Sequence, residues 1–315
     1  IAVIVIIQNM NALSTIYIQS VPADARPLDE QTSSQQPVIS YELARKQSDG
    51  FFDDIPDDEW KMMQQRHYTQ FPNHGTRMQH NHDDGKVKPP KAHLFYQDHF
   101  EPEFACRHER RLGGLGDGPK WICDPHRIKK KKDCLVYSIG SAGNVLFERT
   151  IKEDISQDCE IHTFDIMTSR RKSGDFATAL ANYSTFHAWG ISQRKQPQKK
   201  MMPLKDTVQL LGHVNRTIDI FKIDCEGCEW NTFKTWLDAG VDIRQIVVET
   251  HYSPMPAIRD FFHLLHDHGY VIFHKECNYY AKGDLVEYAF VKLSTNFFIN
   301  DSLYSVYNAK TGNKR

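Results

Sequence analysis

Residues 134–155, CLVYSIGSAGNVLFERTIKEDI, decide how this chain is read. Leu135, Val136, Tyr137 and Ile139 make a short strand-like run. It breaks at Gly140-Ser141-Ala142-Gly143. Asn144 can then cap a helix whose Phe147, Ile151 and Ile155 recur every four residues along one face. The order is strand, glycine loop, helix. Glycine lets the backbone come close to a ligand, and a helix N-terminus favours polar or negative groups.

Working downstream, CEIHTFD (159–165) is a second strand that ends in Asp165, 25 positions after Gly140. An acid at the end of the second strand of a nucleotide-binding βαβ unit accepts hydrogen bonds from ribose hydroxyls. STFHAWGIS (184–192) is a third strand, and IDIFKID (218–224) a fourth, nearly all apolar as a strand covered on both faces should be. DCEGCEW follows, and Trp230, Phe233 and Leu237 then share a helical face that Gly240 closes. IRQIVVETHYS (243–253) is a fifth strand carrying Glu249 and His251 near its end. Pro256 opens a helix bearing Ile258, Phe262 and Leu265, and Gly269 closes it. YVIFHKEC and LVEYAFVKL form a terminal hairpin. Such alternation predicts an α/β fold with a mainly parallel, doubly wound sheet and an antiparallel C-terminal hairpin. Ligands bind at the carboxyl ends of such strands, which places Gly140, Asp165, Asp224 and Glu249 on one rim.

Upstream, residues 1–7 are unbroken by any polar group. A membrane span needs about 20 apolar residues and a signal core about 7 to 15, so 1–18 is expected to be the end of a truncated hydrophobic anchor or signal. Residues 19–92 are polar and broken by Pro, Gln, Ser and Asp, and are expected to be a mostly disordered stem, in which FFDDIPDDEW can form a turn of helix. Residues 93–133 are a lead-in, 134–294 the Rossmann-like domain and 295–315 a tail. The chain's 39 basic and 40 acidic residues leave a net charge of -1, which argues against nucleic-acid binding by bulk electrostatics. Seven histidines between His67 and His108 lack metal-ligand spacing, and no metal site is expected. Seven cysteines leave at least one thiol unpaired within the chain, and Cys106 and Cys123, flanking RLGGLGDGPKW, are the first pair to join. Sequons at Asn182, Asn215 and Asn300, together with the apolar start, favour a luminal or secreted glycoprotein.

LVYSIGSAGNVLFE, EIHTFD, FKIDCEGCEW and IVVETHYS together resemble the FkbM-like class I methyltransferases. With the DGPKWIC lead-in they resemble more closely the methyltransferase-like protein 24 group, over roughly His93 to Leu293. The most specific piece is the D-x-E-G-x-E string of Asp224, Glu226, Gly227 and Glu229. The resemblance implies a seven-stranded sheet with S-adenosylmethionine as cofactor, Gly140 and Gly143 in the loop on its methionine side, and Asp165 on its ribose. Ser138 stands where the family's first loop often begins with an acid. Cys225 and Cys228 fall at variable places of the string and read as small buried residues rather than a redox pair or half a zinc site.

Methyl transfer from a sulfonium needs alignment, plus a base if the acceptor is a hydroxyl. Asp224 and His251 are the candidate catalytic residues, the latter because imidazole titrates near neutrality. Glu226 and Glu229 suit the first turn of the next helix, and Glu249 lies on the acceptor side. The expected acceptor is a hydroxyl on a glycan or small molecule, with membrane attachment through the anchor if it is not cleaved. Two alternatives compete. One is an inactive methyltransferase-like binding glycoprotein. The other is a luminal glycosyltransferase, whose D-x-D strand end is missing here.

Overall fold

The computed structural model describes residues 51–52, 54–67, 96, 99–166, 178–251, 255–282, 285–293 and 295–298. The apolar start, most of the stem, Asn300 and the end of the tail lie outside the described residues. An antiparallel hairpin of β1 (Glu109–Leu112) and β2 (Lys120–Cys123) precedes the main sheet. The strands of that sheet are β3 (Leu135–Ile139), β4 (Glu160–Phe164), β5 (Thr185–His187), β6 (Ile220–Ile223), β7 (Gln245–Thr250), β8 (Tyr270–Cys277) and β9 (Val286–Lys292). Across the sheet these seven run β8-β9-β7-β6-β3-β4-β5. Six of the seven run in one direction, and β9 is reversed, antiparallel to both β7 and β8. The expected class I architecture is therefore present, with its topological switch between β3 and β6.

Both sheet faces are buried because strand side chains alternate. From β3, Leu135, Tyr137 and Ile139 face one layer while Val136 faces the other. The first layer holds α2 (Leu204–Leu210), α3 (Cys228–Thr232) and α4 (Met255–Asp267), and Trp236, Phe261 and Leu265 fill it. The second layer holds α1 (Leu146–Thr150) and the π-helical turn Ile151–Ile155. The Asn144 side-chain oxygen accepts the Leu146 amide at 3.0 Å, and Phe147, Ile151 and Ile155 are buried as their spacing predicts.

Part of the expected stem departs from that reading. Residues 57–67 are helical, and Phe51, Phe52, Ile55 and Trp60 are buried in the second core with Phe104 and Phe297. The reason is local: these four large apolar residues sit among acids, so a mean over the polar stretch hides them, while burying them yields about 1.5–3 kcal/mol each. Phe297, in the segment read as tail, packs edge-on against Trp60 at 5.2 Å.

The lead-in hairpin is tied to the sheet. Gln245 on β7 exchanges two hydrogen bonds with the Cys123 backbone, at 2.8 and 3.0 Å. Cys106 and Cys123 are disulfide-bonded as expected, and Cys134–Cys159 joins the starts of β3 and β4. Cys225 and Cys228 are bonded to each other and are half-buried, which corrects their reading as simple buried residues. Cys277 is the free thiol, and it is exposed.

Candidate active site at the switch of the sheet

The glycine loop is a chain of positive-φ residues: Gly140 at 79°, Ala142 at 47° and Gly143 at 83°. Such a run turns backbone amides toward one side and makes a nest for polar groups. Gly140 could not carry a side chain, because an added Cβ would overlap the Asp224 carbonyl. The backbones of β3 and β6 thus meet at the switch. The Gly140 amide donates to the Phe164 carbonyl at 2.8 Å, and the Asp224 amide to that of Ile139 at 2.9 Å. Asp165 lies on this rim, but its Oδ2 accepts the Ser141 amide at 2.9 Å, the Ser141 hydroxyl at 3.1 Å and the Ala142 amide at 3.0 Å. The acid read as a ribose acceptor thereby also holds the loop. Ser138 is buried in β3, and among the described residues its hydroxyl has no hydrogen-bond partner.

Beside the loop lies a buried ionic cluster spread over β2, β6, β7 and β9. Glu249 and Glu287 are directly paired in the β7–β9 register, and Asp224 ends β6 next to them. Lys120 reaches in from β2, with its ammonium 3.0 Å from Asp224 and 2.8 Å from Glu287. Lys222 lies 3.4 Å from Asp224 and also donates to the Gly140 carbonyl. Asn278 donates to Glu249 at 2.7 Å and to Asp117 at 2.9 Å. Three carboxylates therefore share two ammonium groups. Burial alone would neutralise Asp224, but Lys120 and Lys222 override it and hold this carboxyl well below the usual range. Burial and the charges of Asp224 and Glu287 push Glu249 up to about 8, against the pull of Lys120. Burial likewise raises Glu287, to about 7. Near neutral pH a proton therefore resides on the Glu249–Glu287 side of the cluster.

His251 is fixed differently from what its residue type suggests. Glu229 is fully buried in the first turn of α3 and accepts both the His251 amide and its Nδ1, each at 2.9 Å. The imidazole Nε2 lies 3.5 Å from Glu226 and 3.5 Å from Glu249. Burial opposes charge on the ring, but Glu229, Glu249 and Glu226 outweigh it and raise the pKa to about 9. His251 is thus an imidazolium near pH 7, a form that cannot accept a proton. Glu226 sits just before the helix in left-handed backbone, φ 56°, with an exposed side chain.

The structure thus gathers Gly140, Gly143, Asp165, Asp224, Glu249, Glu226, Glu229 and His251 at one end of the sheet. Sequence reasoning missed Lys120, Lys222, Glu287 and Asn278. Lys222 and Glu287 did leave a signal, since each is a charged residue inside an otherwise apolar strand. A charge there must find partners.

A family model described as a methyltransferase domain matches residues 42–292. Among solved structures, the chain is similar to the Methanococcus jannaschii fibrillarin pre-rRNA processing protein, at 11% identity and a TM-score of 0.36 over 67% of this chain and 92% of that one. It is also similar to Aeropyrum pernix fibrillarin in complex with natively bound S-adenosyl-L-methionine, at 12% and 0.35 over 60% and 85%. A third is the Burkholderia thailandensis 1,6-didemethyltoxoflavin-N1-methyltransferase with 1,6-didemethyltoxoflavin and S-adenosylhomocysteine bound, at 10% and 0.33 over 51% and 71%. No curated protein sequence matches. S-adenosylmethionine, the methyl donor consistent with a methyltransferase domain, fits the rim. Gly140 to Gly143 make a positive-φ turn at the switch, the Asp165 carboxylate holds its Ser141 and Ala142 amides, and Ile166 beside it exposes apolar surface. With residues 42–292 matched by the family model, the chain belongs to the methyltransferase-domain family.

Proposed function

We propose that the chain is an S-adenosylmethionine-dependent O-methyltransferase of the FkbM-like, methyltransferase-like protein 24 type, acting on a hydroxyl of a glycan or small molecule. When bound, the cofactor supplies an electrophilic methyl group on a sulfonium. The 140–143 cradle would hold its methionine end and Asp165 its ribose, with Ile166 offering apolar surface to the base. The observation that carries the O-methyl reading is the Asp224–Glu249 pair beside that cradle. Asp224 keeps 17% of its side chain exposed and can accept a hydroxyl proton donor, while Glu249 behind it has a pKa of about 8. A base works best with its pKa near the working pH. Proton acceptance moves from the expected His251 to this pair, which gains its base as Glu249 ionises near pH 8, below His251, and His251 with Glu229 serves to position the rim and to hold positive charge there. Beyond it, Leu115, Tyr279 and Tyr280 are largely exposed beside Asn278 and offer an apolar lip to an acceptor.

The three disulfides support an oxidising compartment, and Asn182 and Asn215 of the sequons are exposed. Both support the reading of a luminal or secreted domain attached through its N-terminal segment. Among the described residues no helix is long and apolar enough to cross a membrane.

Calorimetry with S-adenosylmethionine, S-adenosylhomocysteine, NAD and UDP tests the cofactor, and transfer of labelled methyl to hydroxyl-bearing glycans and small molecules tests the reaction. Binding of the two S-adenosyl ligands alone is expected. A folded protein that binds neither would overturn the reading in favour of an inactive relative.

A further inference from the structure

A second polar cluster lies at the opposite end of the sheet from the glycine loop. Glu160 and His162 are two apart on β4 and share a face, and His213 comes from the loop after α2. His162 Nε2 lies 2.8 Å and His213 Nε2 3.1 Å from the same Glu160 oxygen, and the facing atoms of all three residues are within 4.8 Å of one another. We propose that Glu160, His162 and His213 form a binding site for a divalent transition metal of the zinc class, separate from the methyl-transfer rim.

Two histidines and one carboxylate, with a fourth position left to water, are a common ligand set for zinc. A tetrahedral ion with ligands at about 2.0–2.1 Å spaces them about 3.3 Å apart, so each histidine nitrogen needs to part from the Glu160 oxygen by only a few tenths of an ångström, and the two histidine nitrogens, within 4.8 Å of each other, need to settle at that same spacing. The surroundings already suit a metal. Arg216 holds the other Glu160 oxygen at 2.7 Å, which leaves one oxygen directed at the histidines. Tyr137 lies 2.7 Å from His213 Nδ1, and His187 Nε2 lies 2.8 Å from His162 Nδ1. With both ring protons moved to Nδ1, His213 would donate to the Tyr137 oxygen and His162 to His187. Each ligand would then have the outer hydrogen bond that orients metal-bound imidazoles. The Cys134–Cys159 disulfide and the Glu160 amide, which donates to the Cys134 carbonyl at 2.8 Å, fix the start of β4. The histidine side chains are 8% and 5% exposed and that of Glu160 is 43%, so an ion would enter from the carboxylate side. In the metal-free arrangement the same atoms form a hydrogen-bonded chain, Tyr137–His213–Glu160–His162–His187.

The test uses the full chain with any affinity tag removed, and zinc or cobalt(II) chloride as the probe. Calorimetric titration counts the sites, and cobalt absorption reads their geometry. The wild type is expected to show one four-coordinate cobalt site that Glu160→Gln and His213→Ala each lose while retaining the wild-type circular dichroism. Tyr137→Phe should keep the site but weaken it about 10-fold, as loss of an outer hydrogen bond does. The histidines between His67 and His108 provide an internal control, because binding there would survive all three substitutions. Identical titrations in wild type and Glu160→Gln would overturn the proposal. If His213→Ala fails to fold, anomalous scattering from a zinc-soaked wild-type crystal decides: a peak between Glu160, His162 and His213 supports the site, and its absence there rejects it.

Discussion

Replacing Lys120 with Met removes the cation around which the acids are arranged while keeping the length of the side chain. Lys120 is 1% exposed, and its ammonium lies 2.8 Å from Glu287 and 3.0 Å from Asp224. At an effective dielectric constant of about 20, each pair attracts by about 6 kcal/mol. Most of that is offset in the wild type by the cost of desolvating the ammonium, several kcal/mol per buried ion. Removing one partner leaves acids without compensation, which typically costs about 3–5 kcal/mol. Glu287, already raised to about 7, can relieve part of this by taking up a proton. The expected loss is about 3 kcal/mol, a large part of the about 5–15 kcal/mol that holds a domain folded. At about 2–4 °C per kcal/mol, Tm should fall by about 6–12 °C.

The pH dependence separates this account from a mere packing defect. Glu249 and Glu287 have folded pKa values of about 8 and 7, above the ordinary 4.5. The folded state therefore binds more protons than the unfolded one, so stability falls as pH rises from about 4.5 toward 8. Without Lys120 both values rise further, so the deficit of Lys120→Met should be larger at pH 8.5 than at pH 6. Denaturant titrations at both pH values, on disulfide-intact protein, measure it. Glu287→Gln in the same chain should recover part of the loss, and the double-mutant cycle should show coupling of at least about 1 kcal/mol. An equal deficit at both pH values, or additive single and double variants, would refute the ionic account.

Four further outcomes follow from the same geometry. Glu249→Gln and Asp224→Asn should each lower kcat by about 100-fold or more while leaving S-adenosylmethionine affinity within about 3-fold, measured by methyl-transfer kinetics and calorimetry; unchanged kcat in both would remove the pair from the chemistry. In the wild type kcat should rise with pH through a midpoint near 8 as Glu249 loses its proton, and Lys120→Met should move that midpoint upward by about a unit or more. Gly140→Ala should abolish cofactor binding or folding, because its Cβ would overlap the Asp224 carbonyl at a φ of 79°, and near wild-type binding by calorimetry would contradict the close approach of β3 and β6. Alkylation without reductant should label Cys277 alone, as read by intact mass, and Cys106→Ser should cost about 3 kcal/mol in a denaturant titration; two or more labels on folded protein would show that a disulfide is absent.

What could be read in advance was set by local pattern, and what could not was set by contacts far apart in the chain. The alternating strands and helices, the rim of Gly140, Asp165, Asp224 and Glu249, and the Cys106–Cys123 bond all follow from runs a few residues long or from the order of those runs. His251 shows where that reasoning stops. Its residue type suggests a base near neutrality, but Glu229, 22 positions earlier, makes it an imidazolium to about pH 9. Glu249 shows the converse, because an ordinary carboxyl acquires a useful pKa from burial, from Asp224 on the neighbouring strand and from Glu287, whose register partner it is. Lys120, which sets the charge balance of the group, is 104 residues from Asp224 and 167 from Glu287. The metal-class cluster was hidden in the same way, since its glutamate and first histidine alternate along one strand while His213 arrives from a separate loop. A motif names which residues reach the rim, but proton affinity belongs to the cluster. In the proposed reaction the acid–base role therefore passes from the residue with the suitable intrinsic pKa to the one whose neighbours create it.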